Sequence, residues 1–208
     1  MPQSTLEVDN LHLWRGEQHV LRGVGFALGA GQCLKVTGPN GAGKTSLLRT
    51  LAGLMYPEEG EVRWEGRNVR RDLRAFQGAL AYLGHEPPLK ADLTARENLH
   101  YWIGNRRRVG GAMLTQALAR VGAERFAERL VRTLSAGQRR RVALAGLALC
   151  LVPLWLLDEP ATNLDAEGQA LVGSLIAEQL GRGGLAVAAV HHELPASVAA
   201  VQHLELRP

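Results

Sequence analysis

Two kinds of hydrophobic spacing alternate along the chain. Up to about residue 70, short runs of β-type residues (LEV, VLRGVGFAL, GEVRWEG) predict strands of a mixed sheet, and the apolar run CLKVT at 33–37 predicts a buried strand. From about residue 94 to 150 the spacing turns helical, in TARENLHYW, MLTQALARVG and ERFAERL, with glycines and the basic run Arg106 to Arg108 between them. Farther on, PLWLLDEP and GLAVAAV are short and almost wholly apolar, as parallel strands buried on both faces require, with the helix-like DAEGQALVGSLIAEQL between them. The pattern predicts an α/β fold whose strand-helix-strand core is split by a helical insertion.

One apolar run needs a decision. Residues 142–157, VALAGLALCLVPLWLL, carry no charge, but a spanning helix needs roughly 20 such residues and Pro153 interrupts this one. It predicts a buried helix leading into a buried strand. Composition adds little: 46% hydrophobic and 21% charged residues fit one large domain, taken as 3–208. The net charge of +4 admits an anionic partner without choosing among nucleotide, nucleic acid and a membrane face. The arginine run has no interleaved aromatics, which argues against a nucleic-acid surface. Cys33 and Cys150 sit in apolar runs without ligand spacing and predict buried free thiols. MPQSTLEVDN lacks a basic segment followed by an apolar one, so the expected location is the cytoplasm.

The chemistry begins at GPNGAGKT, where Gly38, Pro39, Asn40, Gly41, Ala42, Gly43, Lys44 and Thr45 match the phosphate-loop pattern between a strand and a helix, with Ser46 following in the first turn. Glycines let the backbone wrap with N–H groups inward, and the helix start adds positive potential. Lys44 is expected on the β- and γ-phosphates of ATP, and Thr45 on Mg²⁺. In LWLLDEP the strand ends on Asp158, a candidate Mg²⁺ carboxylate, followed by Glu159, a candidate for polarising the attacking water. His191 follows LAVAAV directly and is a candidate γ-phosphate contact, with His192 its rival. A second glycine-bearing turn, TLSAGQRRR, opens a helix near Ser135 and offers that hydroxyl and the N–H groups around Gly137 to an anion. Arg139 to Arg141 read as a solvated face with an ion pair and no catalytic part.

The phosphate loop, LSAGQ at 134–138, LWLLDEP, NLD at 163–165 and His191 stand in an order that resembles the nucleotide-binding subunits of ABC transporters, over essentially the whole chain. The resemblance implies an ABC-type P-loop ATPase: a RecA-like parallel-sheet core, an antiparallel β subdomain and a helical signature subdomain at about 86–150. It implies a homodimer closing over two ATP molecules, with Ser135, Gly137 and Gln138 serving the partner's nucleotide and Asp165 communicating across the dimer. It further implies Trp14 stacked on adenine and integral membrane subunits as partners at the cytoplasmic face of the bacterial inner membrane. His85 stands where the family has a glutamine, and a neutral imidazole can likewise accept a hydrogen bond from water. With GEVRWEG and the signature helix, this segment narrows the resemblance to the branch that exports haem in cytochrome c biogenesis. Nucleic acid is not expected, because soluble relatives acting on it carry two cassettes or a long coiled-coil insertion.

Overall fold

Leu6, Val8, Leu11 and Leu13 turn inward from one long strand, and their alternation slips once, at Asn10, whose φ of 46° lets the strand bulge. The computed structural model describes residues 5–104, 107–190 and 198–207. Its chain forms two compact units, one of residues 1–82, 152–159 and 176–208, the other of 83–151 and 160–175.

The first unit holds two sheets. β1 (Leu6–Arg15) lies between β2 (Gln18–Leu28) and β4 (Glu59–Trp64), with β5 (Arg67–Asn68) beyond β4, and these neighbours pair antiparallel. The other sheet has the order β6 (Leu80–Leu83), β7 (Leu154–Asp158), β8 (Leu185–Ala189), β3 (Cys33–Thr37), β9 (Val201–Glu205). β7, β8 and β3 run parallel, as do β3 and β9. Every residue of β7 and β8 is buried, which explains their apolar sequences, broken by Asp158 at the end of β7. α1 (Lys44–Leu51) and α2 (Leu73–Gly78) belong to this unit. Gln179, buried in α6 (Ala166–Gly181), donates to the carbonyls of Val152 and Pro153 and fixes the entry to β7. Burial pushes the Cys33 thiol up to about 12, so it stays protonated and unreactive at neutral pH.

The second unit is helical, with α3 (Ala95–Gly104), α4 (Gly111–Arg120) and α5 (Ala136–Leu149) packed on one another. Leu99, Ile103, Leu118, Leu144 and Leu147 fill its centre. ERFAERL departs from the helical expectation: only Glu124–Phe126 make a 3₁₀ turn. The following backbone goes to a neighbour instead, since Ala127 O and Arg129 O accept from Arg96 and Ala95, and Val131 N donates to Leu93 O. Long-range pairing outcompetes local helix here. Among the described residues, no helix is long and apolar enough to cross a membrane.

Candidate functional site

The first unit carries the phosphate loop. β3 ends at Thr37 and α1 begins at Lys44, so residues 38–43 form the whole connection. Two glycines in it are forced. A Cβ on Gly38, at φ 140°, would lie 2.5 Å from the Leu206 carbonyl oxygen, and one on Gly43, at φ 98°, would lie 2.7 Å from Val20 Cγ1. Pro39, Asn40 and Gly41 are exposed, Ala42 is buried, and Ala42 N donates to Pro39 O. Gly43 offers no side-chain cap, which leaves the first-turn N–H groups of α1 to an outside acceptor. Lys44 is buried, and its ammonium donates to Gly38 O at 2.7 Å and Pro39 O at 3.1 Å. Thr45 is half-buried and Ser46 buried in the same turn.

Strand register sets Asp158 beside this loop. Asp158 and Val36 are both aligned with Ala189 of β8, so Asp158 stands level with the last residues of β3, two strand spacings or about 10 Å across the sheet. Asp158 is buried, and its Oδ2 has no hydrogen-bond partner among the described residues. A buried carboxylate oxygen left in this way suits a cation. Its charge is felt at Tyr82, whose phenol is raised first by burial and then by Asp158, with Arg49 opposing. Glu159 follows in the left-handed region, φ 49°, its N–H held by Ala189 O at 2.9 Å. His191 and His192 lie outside the described residues, as does Arg106.

Trp14 lies near the end of β1, its main-chain N–H donating to the Glu58 carboxylate. Its ring stacks on His19, centroids 3.9 Å apart and planes 7° from parallel, so at most one face is left for a base. His12 joins through a 3.0 Å contact between its Nδ1 and His19 Nε2. The register shift between Leu13 and Trp14 produces this juxtaposition, which strand periodicity alone does not reveal.

The second unit carries the other turn. Ser135 caps α5: its Oγ accepts from Gln138 N at 3.2 Å, and Gln138 Oε1 accepts from Ser135 N at 2.9 Å. The predicted anion groups are thus also the helix's own cap, with the Ser135 proton still available to donate. Gly137 is required by a close approach, because a Cβ would lie 2.6 Å from Asn163 O. Arg141 donates to Asp165 at 3.0 Å; the Gly168 N–H, with the Arg141 guanidinium, holds the Asp165 carboxyl below its usual range. His85 is exposed on the rim of a groove of about 420 Å³, whose lining includes Glu86, Arg132, Arg139, Arg140 and Asn163. Arg139 to Arg141 differ from the solvated face expected. Arg140 is buried, and each arginine bonds a different segment. The signal was present in the spacing, since Arg140 shares a helical face with Ala143, Leu144 and Leu147.

A parallel sheet with its phosphate loop after β3, an aspartate ending β7 and a capped signature turn define an ATP-hydrolysing subunit of the ABC class. The sequence profile described as ABC transporter matches residues 21–162, and the chain belongs to that family, within it to the cytochrome c biogenesis ATP-binding export proteins. It is 47% identical over 201 residues to the cytochrome c biogenesis ATP-binding export protein CcmA 2 of Cupriavidus metallidurans, covering 94% of this chain and 93% of that one. To CcmA 1 of Salmonella paratyphi A it is 44% identical, covering 97% and 96%. A solved ATP-binding subunit of an ABC transporter superposes with a TM-score of 0.79 at 26% identity, covering 89% of this chain and 79% of the other.

Proposed function

We propose that the chain powers a membrane complex of cytochrome c biogenesis, coupling ATP hydrolysis to export of haem or to release of a haem-loaded chaperone. The observation that carries the ATP chemistry is the buried Asp158 oxygen, without a hydrogen-bond partner among the described residues and level with a complete phosphate loop. Thr45 and Asp158 are the residues that would hold Mg²⁺, which supplies charge neutralisation on the β- and γ-phosphates. Lys44 and the α1 amides bind the phosphates, the free face of Trp14 takes the base, and Glu159 orients the attacking water. His85 and His191 are proposed as further polar contacts to that chemistry. The relatives' names support the biogenesis role. The alternative is the ATPase of another small ABC transporter. Affinity purification from detergent-solubilised membranes separates them: integral proteins of the cytochrome c machinery are expected, and recovery of unrelated permeases or of ribosomal proteins alone rejects the assignment.

The second turn is proposed to close over ATP held by another copy of the chain, as a peripheral homodimer on its membrane partners. Ser135→Arg then leaves ATP binding by the single chain near normal and blocks ATP-dependent dimerisation. Losing the cap costs about 0.5–2 kcal/mol, so Ser135→Ala, which loses it without adding bulk, is the control. Mixing Ser135→Arg with Lys44→Ala chains leaves at most one intact composite site per mixed dimer. Loss of ATP binding by isolated Ser135→Arg would mean that the turn faces its own nucleotide.

A further inference from the structure

Arg140 is 2% exposed, in the second turn of α5. A guanidinium taken out of water is costly unless its N–H groups are bonded. Here the fork reaches the main chain of a distant segment: Nη1 donates to Gly84 O at 2.9 Å and Nη2 to His85 O at 2.6 Å. Two bonds to successive carbonyls fix a direction as well as a distance, so the segment cannot swivel on α5 without breaking one of them. Its neighbours act elsewhere, Arg139 on Leu134 O of the signature turn and Arg141 on Val121 O and Asp165. The start of α5 is therefore joined to four stretches of chain by three consecutive side chains, and among the described residues it is the middle one, Arg140, that holds the stretch bearing His85.

We propose that Arg140 is a positioning residue that makes the His85 segment and the signature turn move as one piece, so that closure of the turn over ATP resets His85 and the groove beside it. This rests on the reading that the turn closes over a nucleotide.

Hydrogen–deuterium exchange on the full chain, with and without Mg²⁺ and a non-hydrolysable ATP analogue, tests both points separately. In the wild type the analogue slows exchange in 133–139 and in 83–91 together. No response at 133–139 in the wild type would mean that the closure reading fails. Arg140→Met keeps much of the apolar stem and removes the fork: 133–139 still responds, 83–91 does not, and kcat falls roughly tenfold or more while KM for ATP stays within about twofold. Arg140→Lys, able to reach one carbonyl, restores part of the 83–91 response and part of kcat. The proposal is overturned if 83–91 in Arg140→Met responds as in the wild type, or if kcat merely follows the folded fraction. Should Arg140→Met not fold, Arg140→Lys decides alone: a wild-type response at 83–91 with wild-type kcat overturns the proposal.

Discussion

Glu159→Gln binds ATP and hydrolyses it at least about a hundredfold more slowly, which corresponds to about 2.7 kcal/mol in the barrier. The substitution is clean because the backbone at 159 is pinned: φ is 49°, in the left-handed region, and the N–H is held by Ala189 O. Glutamine has the same outline and the same backbone preference, so the turn after β7 keeps its shape while the charge that polarises water is lost. ATP therefore accumulates on the protein, and gel filtration with ATP and Mg²⁺ shows a dimer that outlives the wild-type one. Monomer alone, with phosphate release intact, would take Glu159 out of the chemistry.

Lys44→Ala weakens ATP binding by roughly ten- to a hundredfold and abolishes measurable turnover. Hydrogen bonds to a charged group are worth about 1.5–3 kcal/mol, and each 1.4 kcal/mol is about tenfold in affinity. Lys44 is buried, and its ammonium donates to the carbonyls of Gly38 and Pro39, so the charge is held at the loop. Calorimetric titration measures the affinity and a steady-state phosphate assay the turnover. Wild-type values in both would remove the phosphate loop from the reaction.

Much of this was legible because it is local. CLKVT gave β3 to the residue, and two glycines of the loop after it, Gly38 and Gly43, are demanded by positive φ and close approaches together. Ser135 and Gln138, three apart, carry a capping box in their spacing. What escaped depends on register and on remote partners. VQHLE has only half-buried and exposed positions, and its strand exists because β3 offers it an edge. His19 meets Trp14 only after a shift in pairing within the hairpin. ERFAERL has helical spacing, yet its carbonyls serve the amides of 95 and 96. Arg140 looked like one of three surface arginines, since the pull of the Gly84 and His85 carbonyls comes from a segment far away in sequence.

The carbonyl of Leu206 fills the place a Gly38 side chain would take, and Leu206 N is bound to Thr37 O. Leu206 follows β9, which the ribosome makes after every other strand described, whereas the loop it supports is made early. A nascent chain can thus display the full phosphate-loop sequence long before it owns the floor that shapes it. Nucleotide capture becomes a late event in biosynthesis, and this non-local closure is the kind of contact that slows folding.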